Sequence, residues 1–354
     1  MAAVVDSFSF LAKEIISVLT SFRDALALIG AIYAARKTLG LSYKVVSAIR
    51  FVLYTKFGRR DLVRYGHWAV VTGCTHGIGK AYAYELASGG LNIILVSRGL
   101  KKLQEVAKDI EESFGVQTCI VPVDFNEADD AYPGIQSKIQ DKEVGILVNN
   151  VGVMYDYPQF FLDVQPERLW QLVNVNVAAA TMMTHLVLPQ MVARGRGVVV
   201  NMSSSACFLP TPQMTVYSAT KAYLDCFSRA LQVEYKDRGI IVQCLMPWYV
   251  ATRMTQYSET LSDPSTLIPS AQVYARNAVA TIGFSSRTTG YWPHSILSWF
   301  CSYIPESLWM WFSMRLNNAL RQQAHRRIKM KKLKHSESLS SFSDEDLAQQ
   351  SKQD

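Results

Sequence analysis

Cysteine and histidine are scarce in this chain, six of each among 354 residues, and neither falls in the spacing a metal site needs. Cys74, Cys119, Cys207, Cys226, Cys244 and Cys301 show no paired zinc pattern and sit mostly in apolar runs, so they read as reduced core thiols of an intracellular protein. No metal is expected. The N-terminal region also lacks a long uncharged run. Ala25 to Ala35, between Asp24 and Arg36, covers eleven residues, short of the roughly twenty that cross a bilayer. It reads as an interfacial or docking helix or a short hydrophobic hairpin. A secretory signal fits poorly, because Asp6 and Glu14 interrupt the start and no compact apolar core precedes a small-residue cleavage site. No internal repeat is present.

Acidic residues are in the minority, 29 against 36 Lys and Arg, for a net charge of +7. The excess belongs to the flanks. The first sixty residues carry nine basic against three acidic side chains, and residues 315 to 335 carry eight basic and no acidic ones. The last nineteen reverse the sign, with one lysine against five acids after a cluster of serines, a composition that predicts disorder. The basic tract Arg326 to Lys334 comes with no nucleic-acid-binding pattern. Trp299, Trp309, Trp311 and Phe312 lie just upstream of it. Aromatics with basic neighbours suit a membrane surface, so a membrane is the expected partner and nucleic acid is not. Packing of these aromatics on the domain is the competing account.

Between the flanks, apolar strand-like runs alternate with helical stretches. They lie at Trp68 to Val71, Asn92 to Val96, Thr118 to Val123, Val144 to Val148, Val198 to Asn201 and Ile240 to Met246. Such alternation predicts an α/β fold with a single doubly wound parallel sheet of the Rossmann kind, extended by helical segments at both ends. The first run leads into Thr72-Gly73-Cys74-Thr75-His76-Gly77-Ile78-Gly79 and then a helix. Glycines admit a phosphate close to backbone amides, and the helix start supplies free N–H groups and the positive end of its dipole. After the second run come Ser97 and Arg98 where a ribose 2′ position would be read. A cation there suits a 2′-phosphate, hence NADP rather than NAD. His76 adds partial positive charge or is simply a solvated loop residue.

Tyr217 and Lys221 stand four residues apart, on one face of a helix. An ammonium fixed beside a phenol stabilises the phenolate and lowers its pKa, which fits the phenol for proton exchange with an alcohol or carbonyl. The strand that ends in Ser203-Ser204-Ser205 places Ser204 thirteen residues before Tyr217.

In combination, the glycine loop, Asn149-Asn150-Val151-Gly152, Ser204 and the Tyr217–Lys221 pair resemble the short-chain dehydrogenase/reductase family over residues 66 to 295. The resemblance implies that Ser204 polarises a carbonyl, Tyr217 exchanges the proton, and Lys221 holds the nicotinamide ribose and lowers the tyrosine pKa. Asn176 matches the asparagine that supports a proton-relay water. Gly73, Gly77, Ile78 and Gly79 would meet the phosphates, with His76 beside them. Arg98 would meet the 2′-phosphate, and Asp124 and Phe125 would flank the adenine. Asn150 would meet a ribose, and Val250 with Thr252 the carboxamide. Two positions depart from the family pattern: Val151 replaces an alanine, and Trp248 follows Pro247 where many members have glycine. With Phe208, Leu209, Tyr249 and Met254, Trp248 suggests an apolar pocket.

Gly145 to Gly152, Tyr249 to Thr252 and Arg287 to His294 look most like the branch holding 17β-hydroxysteroid dehydrogenases and very-long-chain 3-oxoacyl-CoA reductases. That resemblance implies a small hydrophobic substrate, a keto-steroid or a 3-oxoacyl thioester, and a possible homodimer through the long helices. Its hydroxysteroid dehydrogenase-like members include proteins with phenylalanine at the catalytic tyrosine, regarded as inactive. This chain keeps Tyr217, although a low-activity NADP-binding scaffold or regulator stays open as the alternative. The same resemblance implies a mitochondrial location, and the reductases imply the endoplasmic reticulum membrane. The expected organisation is a membrane-associating segment over 1–60, the NADP-binding domain over 61–295, an aromatic then basic helical segment over 296–334, and a disordered tail over 335–354.

Overall fold

A computed structural model describes residues 2–57, 61–127 and 131–350. The chain divides into two compact units, Met1–Gly58 and Arg59–Asp354. The first is one helix, α1 (Ala2–Phe57). Within it, Ser9–Gly40 is long and apolar enough, by length and composition, to cross a membrane. That corrects the count from the sequence. A helix tolerates a few charges in a span, and Arg23 and Asp24 pair with each other at 3.0 Å, so eleven uncharged residues understate the apolar length. Met1 and residues 58–60 of the expected 1–60 segment lie outside the described residues.

The second unit is built on seven parallel strands: β1 (Trp68–Thr72), β2 (Asn92–Ser97), β3 (Thr118–Pro122), β4 (Val144–Asn149), β5 (Gly197–Met202), β6 (Ile240–Leu245) and β7 (Arg287–Thr288). Their order is β3-β2-β1-β4-β5-β6-β7, the doubly wound arrangement. The seventh strand was not legible in advance because it is two residues long and pairs only Cys244 with Arg287 and Leu245 with Thr288. The connecting helices are α2 (Gly77–Ser88), α3 (Leu100–Phe114), α4 (Ala131–Ile139), α5 (Pro166–Val173), α6 (Ala179–Arg194), α7 (Thr215–Tyr235), α8 (Glu259–Ser262) and α9 (Ala271–Val279). Two more follow β7: α10 (Trp292–Cys301) and α11 (Glu306–Gln350).

Strand alternation sends side chains to two cores. Ala69 and Val71 of β1 face a cluster with Tyr82, Leu86, Leu103 and Tyr274 on one side of the sheet. Val70 faces Ile135, Val175, Met183 and Val187 on the other. Both faces are therefore dry, which is why the strands read as unbroken apolar runs. The strand order reverses between β1 and β4, opening a crevice at their carboxyl ends where ligands of such sheets bind.

α11 belongs to the second unit and is tied to it along its first half. Asn317 Nδ2 donates to the Pro212 carbonyl at 2.7 Å, Arg321 pairs with Asp163 at 2.7 Å, and Arg327 pairs with Glu259 at 3.0 Å. Its backbone continues helical to Gln350, through the serine-rich acidic segment expected to be disordered. No glycine or proline follows Pro305 to stop it. Residues 351–354 of that expected tail lie outside the described residues.

Candidate active site

The cleft at the β1–β4 switch point is about 520 Å³ and is lined from four directions. Its floor at one end is the turn from β1 into α2. Gly73 has φ +66°, and a Cβ there would come within 2.9 Å of Val151 Cα. A Cβ on Gly79 would collide with Asn150 Nδ2 and the Gly73 carbonyl. The turn is thus held against the end of β4 at a distance only glycine permits. Gly77, Ile78 and Gly79 open α2, where N–H groups have no carbonyl of their own helix to pair with, and all three line the cleft.

Asn150 locks this turn in place. Its Nδ2 donates to the carbonyls of Thr72 (2.9 Å) and Gly73 (3.2 Å), while Thr72 Oγ1 accepts the N–H groups of Asn150 and Val151, both at 3.0 Å. The structure therefore gives the Asn150 amide nitrogen a bracing task rather than leaving it free for a ribose.

His76 joins a chain of polar contacts: Ser97 Oγ with Thr75 Oγ1 at 3.2 Å, Thr75 Oγ1 with His76 Nδ1 at 3.0 Å, and His76 Nε2 with Arg253 Nη1 at 2.8 Å. Burial, then the nearby charges of Arg253, Lys102 and Lys80, lowers the His76 pKa, so the ring is neutral and accepts from the guanidinium. Arg253 was not evident from the sequence, because it arrives from the loop after β6. Arg98 sits at the rim, largely exposed, in a 3.4 Å ion pair with Asp124. A pair so solvated is weak, which leaves the guanidinium free to turn to another anion. Phe125 is buried and lines the same rim.

At the other end, Ser204, Tyr217 and Lys221 meet. The serine cluster separates by burial. Ser203 Oγ donates to the Lys221 carbonyl at 2.7 Å and is used up in joining β5 to α7. Ser204 caps the short turn that follows, accepts the Ala206 N–H at 3.2 Å, and faces the cleft. Lys221 is 4% exposed, its Nζ donating to the Met202 carbonyl at 2.9 Å and lying 5.6 Å from the centre of the Tyr217 ring. Burial lowers the Lys221 pKa to about 8.

Tyr217 departs from the sequence expectation. Burial raises its pKa to about 12, and the hydrogen bond with Ser204 only partly opposes that. The reason is dielectric. Desolvation of the phenolate dominates and the neighbouring Tyr249 and Cys207 add to it, while Lys221 is anchored on the Met202 carbonyl. The phenol is thereby held protonated and the ammonium is poised near neutrality.

Asn176 lies in a single π-turn (Asn174–Ala178) between α5 and α6, a feature often found at functional sites. Its Oδ1 accepts the Val153 N–H at 2.8 Å, and its Nδ2 donates to the Val153 carbonyl at 2.9 Å and to Thr220 Oγ1 at 3.2 Å. The side chain fixes the segment after β4 beside α7. Val250 and Thr252 line the cleft below the glycine turn, where the Thr252 methyl lies 3.3 Å from the place a Cβ on Gly77 would occupy.

The last wall comes from far along the chain. Trp309, Phe312, Ser313, Leu316 and Asn317 of α11 line the cleft, one helical stripe at i, i+3/i+4, i+7/i+8. Trp309 packs edge-on against Trp248 at 6.1 Å. Trp248 is itself pinned, its N–H donating to His294 Nδ1 at 3.3 Å and its indole Nε1–H to Ser298 Oγ at 2.8 Å. Tyr249 and Met254 line the cleft as expected, whereas Phe208 and Leu209 do not. The Phe208 ring is instead covered by the Arg287 guanidinium at 5.3 Å. The sequence's only signal for the α11 wall is the spacing of Trp309, Phe312 and Leu316.

The model of the short chain dehydrogenase family matches residues 67–262. The chain is 53% identical to the human protein named inactive hydroxysteroid dehydrogenase-like protein 1, over 91% of this chain and 98% of that one. It is 45% identical to the very-long-chain 3-oxoacyl-CoA reductase of Anas platyrhynchos, over 83% and 92%. Among solved structures, L-sorbose reductase from Gluconobacter frateurii, complexed with NADPH and L-sorbose, superposes with a TM-score of 0.57 at 26% identity, covering 63% of this chain and 94% of that one. The chain belongs to the short-chain dehydrogenase family. A nicotinamide cofactor fits the residues present: the close packing of Gly73 and Gly79 against Asn150 and Val151 leaves the bare backbone of the turn and the start of α2 along the cleft, and His76, Arg98 and Arg253 line it too.

Proposed function

We propose that this short-chain dehydrogenase is an NADP-dependent reductase acting on a hydrophobic ketone, a keto-steroid or a 3-oxoacyl thioester. The observation that carries the reading is the convergence of Ser204, Tyr217 and Lys221 at one end of a cleft whose other end is a glycine cradle. Gly73, Gly77, Ile78 and Gly79 would hold the cofactor's phosphates, Asp124 and Phe125 its adenine, Lys221 the nicotinamide ribose, and Val250 and Thr252 the carboxamide. Arg98, with the His76–Arg253 pair nearby, supports a cofactor that carries a 2′-phosphate. When bound, the nicotinamide supplies a hydride.

The chain's own groups handle the proton. Ser204 Oγ–H donates to the substrate carbonyl oxygen and places it beside the phenol. Tyr217, kept protonated by burial, gives its proton to that oxygen as it gains negative charge. The Lys221 ammonium, fixed on the Met202 carbonyl, offsets the phenolate left behind. Trp248, Trp309, Phe312 and Leu316 exclude water and favour an apolar substrate body.

A second reading has its own support. Relatives at 48–53% identity bear names that call them inactive, and on it the cleft binds NADP without turnover. The test is NADPH oxidation by the full chain in detergent, against keto-steroids and 3-oxoacyl thioesters. Turnover with one class supports the reductase and selects its substrate. Tight NADPH binding with no turnover on any of them supports the scaffold.

A further inference from the structure

Beside the stripe of α11 that lines the cleft runs a second stripe that faces solvent. Leu308, Trp311 and Phe312 are 53%, 56% and 54% exposed, and on α10 and just after it Trp299, Phe300 and Tyr303 are 36%, 58% and 60% exposed. Soluble surfaces seldom expose so many large apolar side chains within fourteen residues of chain. These are also ordered among themselves: Trp299 packs edge-on against Phe300 at 4.8 Å and Tyr303 at 5.2 Å. The patch is continuous with the cleft, since Phe312 and Leu316 belong to the cleft lining and are themselves 54% and 41% exposed.

Charge follows the same side of the helix. Arg315 stacks on Trp311 at 4.6 Å, and Arg326 and Lys329 follow it at helical spacing, exposed. From Ser307 to His335 there is no acidic residue. An aromatic face bordered by cations is complementary to the headgroup region of an anionic bilayer. A lid closing over a soluble substrate would have its aromatics turned inward, and here five of the six between Trp299 and Phe312 are exposed.

We propose that the exposed face of α10 and the first turns of α11 seats on an anionic lipid bilayer, and that an apolar substrate enters the cleft from the bilayer past Phe312 and Leu316. The entry route rests on the proposed reductase reading; the seating does not. Phe312 and Leu316 are the threshold, with acyl-chain environment on one side and the catalytic end on the other.

The chain provides its own reporter, because its seven tryptophans include none in α1, so membrane contact by that helix is silent. Full-length protein is reconstituted into vesicles of phosphatidylcholine and phosphatidylserine with brominated acyl chains, and tryptophan quenching is measured. Quenching is expected in the native chain. It should fall at least about threefold in Phe300→Glu/Leu308→Glu, which places two charges on the seated face, and fall in Trp311→Phe, which removes a reporter while keeping the face apolar. Native quenching no greater than that of the double variant overturns the seating. So does a detergent-solubilised dimer that the double variant splits while native tryptophans stay unquenched, since the face then joins two copies of this chain. If the seating holds, the double variant should raise KM for a vesicle-dissolved ketone about tenfold with KM for a short water-soluble ketone unchanged. Equal effects on both overturn the entry route. Absence of turnover with every ketone refutes the reductase reading and the route with it, while the quenching still decides the seating.

Discussion

At the glycine-loop end of the cleft, contacts are short, polar and largely backbone: Thr72, Gly73, Asn150 and Val151 hold one another within 3.2 Å. At the α11 end the wall is Trp309, Phe312 and Leu316, apolar side chains on a helix that begins 234 residues after β1 ends. The first end tolerates almost no change of shape, whereas the second is defined by volume and greasiness. The difference teaches where specificity of each kind resides. On the proposed reading, cofactor geometry is set by a turn that admits only glycine, and substrate choice is left to side chains that can be resized without disturbing the sheet.

The rigid end is the more sensitive to substitution. Gly79→Ala should reduce NADPH affinity at least about a hundredfold and destabilise the domain by roughly 2–4 kcal/mol, because its methyl would collide with Asn150 and the Gly73 carbonyl. Calorimetric titration and a thermal melt check both. Near-native affinity would show that the turn is not a cradle.

The catalytic end should titrate through Lys221. Its pKa of about 8 means that the ammonium is present below that pH and lost above it, while Tyr217 near 12 keeps its proton throughout. The kcat/KM for reduction should therefore fall about tenfold per pH unit above pH 8. The profile of the native chain between pH 6 and about pH 10 tests this. A flat profile removes Lys221 from the mechanism.

Arg98→Ala should lower the preference for NADPH over NADH by about tenfold, the scale of one charge-assisted phosphate contact. Competition between the two cofactors measures it. The smallest effect belongs to the compliant wall: Leu316→Ala should raise KM for a long apolar ketone about threefold to tenfold and leave NADPH affinity unchanged. An equal loss of cofactor affinity would mean that the two ends are not separable.

Legibility divides along the same line. Six strands, the glycine turn, Ser204 and the Tyr217–Lys221 pair were readable because each depends on neighbours in sequence: a buried parallel strand is an apolar run, and a face of a helix is a four-residue spacing. What escaped depends on tertiary placement. Arg253 reaches His76 across 177 residues, and the α11 stripe reaches the cleft only because Asn317 and Arg321 dock it. Tyr217's raised pKa escaped for a related reason, since proximity of Lys221 is written in the sequence and burial is not. Phe208 and Leu209 show the converse error, aromatic and apolar neighbours of Ser204 that the short turn carries away from the cleft lining.

The most direct test supplies the full chain with NADPH deuterated at the transferable position and a long-chain 3-oxoacyl thioester or a keto-steroid, then examines the alcohol product by mass spectrometry. An alcohol carrying one deuterium is expected from the native protein, and at least about a thousandfold less from Tyr217→Phe at unchanged NADPH affinity. Tight NADPH binding with no deuterated alcohol, or equal product from the native protein and Tyr217→Phe, would contradict the reductase reading.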